Sequence, residues 1–274
     1  MLEVNGKTID TRRFPDGTQL LKAKLNMGLE YKIKWFYESD VELVTLIYIT
    51  KHLRNHGAEY IELYMPYIPN ARMDRVKSAE EIFTLKYFAD TINWLGFNKV
   101  RVLDPHSYVS EALLNNLVLI DQKKIVDSVI QYHIGTHKKV TLFFPDAGAC
   151  KRYSGLSAGR PYLYGEKNRD WETGEIKGLE IIGDHDNVKN RNILIVDDIC
   201  SKGGTFYHSA KKLKELGANE IYLYVSHCEN SIFQGELLES DLIKKIYTTN
   251  SIFTGKHEKV EVIALWWRKQ TLCY

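Results

Sequence analysis

Ile193 to Phe206 reads ILIVDDICSKGGTF, and its three parts decide the fold. Ile193, Leu194, Ile195 and Val196 form an apolar, β-branched run suited to a strand buried on both faces. Phe206, Ala210 and Leu213 recur at spacings that put them on one face of a helix. The turn between them lies at the carboxyl end of a strand, where ligands sit in open α/β sheets. Gly203 and Gly204 let the backbone approach an anion, Ser201 and Thr205 offer hydroxyls, and the helix start supplies free N–H groups and positive dipole charge. Such a turn suits a phosphate monoester or diester. Asp197 and Asp198 would repel a phosphate placed on them, which assigns them to sugar hydroxyls or to Mg²⁺. The competing reading is a tight strand-to-helix turn capped by Asp with no ligand, and the paired aspartates weigh against it.

The 274 residues are 44% hydrophobic and 26% charged, enough for one large core or two medium domains. A formal net charge of +2 gives no reason to expect nucleic acid as the main partner. Cys150, Cys200, Cys228 and Cys273 are widely spaced with no C-x-x-C pair, against both a zinc site and a disulfide framework. Cys200 reads as a small apolar filler inside the turn. The start MLEVNGKTIDTRR carries charges where a signal peptide needs an apolar run, and no apolar stretch reaches membrane-spanning length. A cytoplasmic enzyme with no membrane partner is expected.

Strand and helix patterns alternate, so mainly parallel, doubly wound sheets are expected. Ser39 with Glu42 and Ser78 with Glu81 have capping-box spacing, and the helices they would open run to Gly57 and Gly96. Strands are expected at 60–65, 99–103, 140–144, 193–196 and 221–225, and residues 2–25 read as a hairpin around Pro15-Asp16-Gly17. Phe88 to Ser107 aligns with Ser209 to Cys228 at a constant offset, pairing Gly96 with Gly217, Asn98 with Asn219, Val100 with Ile221 and His106 with His227. Any two helix-Gly-strand units share some of this pattern. The fuller reading is two related α/β halves, 1–135 and 136–274.

The Ile193–Phe206 segment resembles the loop that binds 5-phosphoribosyl 1-diphosphate (PRPP) in type I phosphoribosyltransferases and in ribose-phosphate pyrophosphokinases (PRPP synthetases). The usual form is two acidic residues, two variable ones, then D-T-G-G-T; Ser201 and Lys202 here replace the Asp-Thr pair. Resemblance to the PRPP synthetases continues in the family's order along most of the chain. RRFPDGT is similar to its F-x-D-G-E turn, MPYIPNARMDR to P-Y-x-R-Q-D-R, and VLDPHS to M-D-L-H. FFPDAGACKRY resembles S-P-D-x-G-G, and GEKNRDWETGE resembles its Lys/Arg loop.

The resemblance implies two phosphoribosyltransferase-like domains, ATP-side motifs in the first and a PRPP-type loop in the second. It also implies transfer of the β,γ-diphosphate of ATP to the anomeric hydroxyl of a ribose phosphate, with release of AMP. That chemistry needs in-line placement, a divalent metal such as Mg²⁺, and cations where negative charge develops. By the resemblance Lys167 and Arg169 are the catalytic cations, in a polar segment consistent with a mobile closing loop. His106 and Asp146 bind the Mg²⁺ of Mg-ATP. Phe14, Asp16, Arg72, Asp74, Arg75 and His106 bind ATP, two guanidinium groups being well suited to phosphate oxygens. Asp197, Asp198, Ser201, Lys202, Gly203, Gly204 and Thr205 hold the acceptor's ribose phosphate. Taken singly, a charged run, an R-x-x-R turn or a strand-end His is a solvated or structural feature. Met73 stands where the family has Gln, and Thr18 where it has Glu. The family's hairpin reaches a neighbouring subunit's ATP site, implying a homodimer or larger assembly.

The acceptor is either ribose 5-phosphate or ADP-ribose. Lys202 adds a cation able to answer a diphosphate, and Ser201 removes a negative charge, which leans towards ADP-ribose. The short form also resembles phage-associated enzymes of this type that make ADP-ribose pyrophosphate for rebuilding NAD⁺. Two other readings stay open: a PRPP-consuming phosphoribosyltransferase, and an inactive regulatory homologue. The Lys167/Arg169 segment, the Arg72/Arg75 turn and the duplication argue against the first, and the full set of charged residues against the second.

Overall fold

The computed structural model describes residues 1–23, 25, 28–135, 139–169 and 176–265, and the chain divides into two units, Met1–Asp121 and Gln122–Tyr274. The division falls before residues 122–135 rather than after them. The reason is packing: Val126, Val129, Ile130 and Ile134 bury their side chains with Val140, Leu142 and Leu194 of the second unit.

In unit 1 the strands are β1 (Leu2–Val4), β2 (Lys7–Thr8), β3 (Asp10–Arg13), β4 (Gln19–Lys22), β5 (Glu30–Trp35), β6 (Tyr60–Tyr64), β7 (Lys99–Leu103) and β8 (Leu117–Ile120). The helices are α1 (Val41–Asn55), α2 (Thr84–Trp94) and α3 (Tyr108–Leu113). The main sheet runs β2-β1-β5-β6-β7-β8, with β5 to β8 parallel and β1 antiparallel to β5. The parallel strands follow in chain order. Right-handed crossovers that all step the same way put their helices on one face. Ile33, Trp35, Ile61, Leu63, Val100 and Val102 accordingly share one core with Leu46 and Leu53 of α1 and Leu85 and Phe88 of α2. Alternate residues on the strands pair ionically instead, Arg101 with Glu62 and Lys34 with Glu3.

The expected hairpin at 2–25 is two hairpins. Asn5-Gly6, both at positive φ, turns β1 into β2, and Pro15-Asp16-Gly17 turns β3 into β4. Neither capping box forms. The Glu42 carboxylate accepts the Trp35 indole N–H at 2.9 Å and pairs with the Met1 ammonium, while Glu81 accepts the Lys77 N–H at 2.7 Å in a turn before α2 starts. Gly57 and Gly96 do end their helices at positive φ.

Unit 2 begins with α4 (Gln122–Ser128) and a π-helical turn, Val129–Gly135. It continues with β9 (Val140–Phe144), α5 (Ala147–Tyr153), β10 (Tyr162–Arg169), β11 (Ile176–Ile182), β12 (Asn192–Cys200), α6 (Gly204–Glu215), β13 (Ile221–Cys228), β14 (Lys245–Thr249) and β15 (Val260–Ile263). The sheet order is β11-β10-β9-β12-β13-β14-β15, parallel except for β11. After β9 the chain steps one way to β10, then returns to lay β12 on the other side of β9. That reversal is the doubly wound feature, and it puts helices on both faces. Ile193 and Ile195 pack with Phe206, Ala210 and Leu213 of α6; Leu194 and Val196 pack with Ala149 and Tyr153 of α5. Truncating a side chain such as Leu194 to Ala would cost about 2–5 kcal/mol. Among the described residues, no helix is long and apolar enough to cross a membrane.

Candidate active site

The reversal in unit 2 lies between β9 and β12, and such a point is where an open α/β sheet leaves a crevice for ligand. Three groups foreseen from sequence stand at the carboxyl ends of these strands. Asp146 follows β9 and caps α5, its Oδ1 accepting the Ala149 N–H at 2.8 Å. Asp197 and Asp198 lie within β12, which runs four residues beyond the expected end at Val196. Cross-strand pairing with β13 carries it on, with Asp197 opposite Val225, Ile199 opposite His227 and Cys200 opposite Cys228.

Consecutive residues of a strand point to opposite faces, yet the two carboxylates are tied together. The Asp198 N–H donates to Asp197 Oδ1 at 3.0 Å. Arg152, in the last turn of α5, brings its guanidinium to 3.2 Å from Asp198 Oδ1 and 3.5 Å from Asp197 Oδ1. Burial, and then the charge of Asp198 beside it, push the Asp197 carboxyl well above the usual carboxylate range, against the opposing pull of Arg152.

The turn itself is held from behind. Gly203, at φ +82°, is the N-cap of α6, and a Cβ on it would lie 2.7 Å from Leu237 Cδ2. A Cβ on Gly235 would meet the Lys202 carbonyl oxygen at 1.9 Å. Both glycines are therefore required by close approach as well as by φ at Gly203. The Tyr207 N–H donates to the Gly203 carbonyl at 2.9 Å, so the N–H groups of Gly204, Thr205 and Phe206 precede the helical ladder and face the turn's mouth. Lys202 is exposed, and Ser201 and Thr205 are half-buried.

Lys167 and Arg169 were expected in a loop. Their backbone instead lies in β10, paired antiparallel with β11, Lys167 opposite Leu179 and Arg169 opposite Ile176, with the register shifting between Asn168 and Arg169. Hydrogen bonding to β11 imposes extended backbone on a polar segment without apolar alternation. The rest of GEKNRDWETGE, residues 170–175, lies outside the described residues, as does Cys273.

In unit 1 the Pro15-Asp16-Gly17 turn leaves Phe14 48% exposed, enough for its ring to meet a planar ligand. Thr18 has a local role that sequence did not show. Its hydroxyl and N–H donate to Asp16 Oδ1 at 2.7 and 2.9 Å, holding the Asp16 carboxyl below its usual range. Arg72 and Arg75 are exposed in a turn after β6, and Arg75 Nε lies 3.9 Å from Asp74 Oδ1. His106 is half-buried in a bend after β7, delivered by buried Asp104 at φ +45°. Left-handed backbone directly before a proline is disfavoured, and such strain persists where surrounding structure enforces it. His227, its partner in the internal alignment, is a strand residue, buried and bonded through Nδ1 to Ser251 Oγ at 2.8 Å. His106 and Asp146 belong to different units.

Sequence reasoning missed Arg152. Its signal was available as a basic residue in the last turn of the short helix that Asp146 caps, but its partners are 46 positions away from it in sequence at Asp198.

No family model matches the chain. It is similar to curated proteins named ribose-phosphate pyrophosphokinase. That of Thermococcus kodakarensis is 27% identical over 254 residues, 90% of this chain and 86% of the relative. That of Sulfolobus acidocaldarius is 29% identical over 255 residues, 89% and 84%. Among solved structures, phosphoribosylpyrophosphate synthetase from Mycobacterium smegmatis matches with a TM-score of 0.77 and 18% identity, covering 94% of this chain and 86% of that one. The last likeness concerns the fold alone, an α/β architecture with mainly parallel sheets.

Proposed function

We propose that this chain, similar along about nine-tenths of its length to ribose-phosphate pyrophosphokinases, is itself an ATP-dependent diphosphotransferase. It moves the β,γ-diphosphate of ATP to the anomeric hydroxyl of a ribose 5-phosphate group and releases AMP. The observation that carries this reading is the β12 end in unit 2. Two carboxylates stand directly before a glycine turn and an open helix start, at the sheet's point of reversal. Carboxylates accept hydrogen bonds from ribose hydroxyls, while backbone N–H groups and the helix dipole receive the phosphate.

Arg72, Asp74, Arg75, His106, Phe14 and Asp16 are proposed for ATP, and Asp197, Asp198 and 201–205 for the acceptor. Lys167 and Arg169 are proposed to act on the charge developing at the transferred phosphorus. Mg²⁺ binds through few protein carboxylates plus substrate phosphates. Among the described residues there is no cluster of three or more His, Cys, Asp or Glu side chains able to hold a metal alone, which fits an ion brought with ATP. Asp146, which follows β9 in unit 2, is the proposed protein ligand there. Bound Mg²⁺ would neutralise triphosphate charge. A homo-oligomer is proposed from the exposed Phe14 turn.

The finer proposal is ADP-ribose as acceptor, in the service of NAD⁺ rebuilding, with ribose 5-phosphate as the alternative. Its support is exposed Lys202 beside the open helix start. Incubation with Mg-ATP and each acceptor, followed by mass identification of AMP and the pyrophosphorylated sugar, tests both levels. Product from neither acceptor would end the diphosphotransferase reading.

A further inference from the structure

Two carboxylates side by side in a mostly buried place need a cation. Asp198 is 3% exposed, and one guanidinium, that of Arg152, reaches both it and Asp197. Arg152 is itself fixed. Its side chain is 20% exposed and its guanidinium carbon stands 5.0 Å from the ring centre of buried Tyr153. The backbone adds a further tie, since the Asp198 N–H occupies Asp197 Oδ1. These contacts leave each carboxylate a defined orientation, where two unpaired neighbours would repel and turn away from each other.

We infer that Arg152 is a positioning residue. It holds Asp197 and Asp198 in the orientation that receives the two ribose hydroxyls of the acceptor, without touching the reacting atoms. The inference rests on the assignment of the aspartate pair to the acceptor. A guanidinium suits the task because its planar fork addresses two oxygens at once, which an ammonium does less well. α5 is short, about 10 Å along its axis at 1.5 Å per residue, and is capped by Asp146. The groups after β9 and those on β12 are thereby joined through one small helix.

The test compares Arg152→Met, Arg152→Lys, Asp198→Asn and the double variant Arg152→Met with Asp198→Asn. Arg152→Met should raise KM for ribose 5-phosphate at least tenfold while KM for ATP stays within twofold. Arg152→Lys should recover part of that loss. Equal shifts in both KM values, or in neither, would overturn the inference, since an ion pair serving only the fold has no reason to split them. Should Arg152→Met not fold, Arg152→Lys carries the same KM comparison. Thermal unfolding supplies an arm independent of turnover. Asp198→Asn should offset most of the destabilisation from Arg152→Met, and strict additivity would refute the pairing. A wild-type protein that makes no pyrophosphorylated sugar would instead overturn the function, and the unfolding cycle would still judge the clamp.

Discussion

β6 and β12 hold comparable places in their sheets, β6 between β5 and β7 and β12 between β9 and β13, and the chain leaves them in opposite ways. From β12 three residues, 201–203, lead straight into α6. From β6 the long connection 65–83, with two prolines and Arg72 and Arg75, precedes α2. The helix and strand that come next are alike in both units. Gly96 and Gly217 stop α2 and α6 at φ +66° and +87°, and the Asn98 and Asn219 N–H groups then donate to the Ile61 carbonyl in β6 and the Arg191 carbonyl just before β12. Under the proposed assignments a common frame would offer phosphate two kinds of recognition. The glycine turn would use backbone N–H groups, which need close approach and tolerate no side chain. The proline-bearing turn would use long cationic side chains, which need space.

The widest difference between the units is the long β10–β11 hairpin, since the matching edge of unit 1 is the short β1–β2 hairpin. If that hairpin supplies transition-state cations, Lys167→Ala and Arg169→Ala should each lower kcat about a hundredfold or more with little change in KM, the size of a lost oxyanion donor. Steady-state kinetics with both substrates decides it. Losses in binding alone, with kcat intact, would remove the catalytic assignment.

The glycines give a purely structural test. Gly203→Ala adds a Cβ both to left-handed backbone and against Leu237, and should cost roughly 2–3 kcal/mol in denaturant unfolding. Gly96→Ala meets nothing within 4 Å, and Gly217→Ala meets only Lys189 at ordinary distance, so each should cost about 1 kcal/mol. Equal costs at all three positions would mean that the glycine turn is no more constrained than a plain helix stop.

Exchange of the recognition groups sharpens the contrast further. Asp197→Asn and Asp198→Asn should weaken the acceptor about tenfold and leave ATP unchanged, while Arg72→Ala and Arg75→Ala should do the reverse, as read by calorimetry. A crossed result would interchange the two pockets. Asp197→Asn also has a pH signature. The folded protein binds the Asp197 proton more tightly than the unfolded chain, so this group's stabilising contribution is complete below the ordinary carboxylate pKa and is lost as pH rises through the raised value. Relative to wild type, Asp197→Asn should therefore gain stability from pH 4 towards neutrality, and a constant difference would contradict the raised pKa.

What could be read from sequence follows a physical division. β9 is where its largely apolar run puts it, because a strand buried on both faces carries few polar residues, and β7 is where Val100 and Val102 alternate with Lys99 and Arg101. β10 and β11 were not foreseen, since the polar end of β10, Glu166 to Arg169, takes its extended shape from its partner strand. β12 was read too short because Asp is a poor strand former, and the neighbouring β13 overrides that preference. The aspartates, glycines and Asp146 were visible as motifs at strand ends. Arg152 and the Leu237 contact on Gly203 depend on segments far apart in sequence, which no local pattern encodes.

The smallest expected effect decides the acceptor. Lys202 is exposed one residue before Gly203, where a cation can meet a second phosphate only when the acceptor carries one. Lys202→Thr should then reduce kcat/KM for ADP-ribose several-fold while leaving ribose 5-phosphate nearly unchanged. A partly exposed charged contact is worth on the order of 1 kcal/mol, which is a change of about fivefold and not abolition. The wild-type enzyme should also prefer ADP-ribose in the same assay, because the cation penalises neither acceptor and rewards one. An equal loss for both acceptors would place Lys202 on the 5-phosphate that they share. Ribose 5-phosphate as the better wild-type substrate would make Ser201 and Lys202 a neutral variation on the glycine turn, and the difference between the two units would then concern ATP and a ribose monophosphate alone.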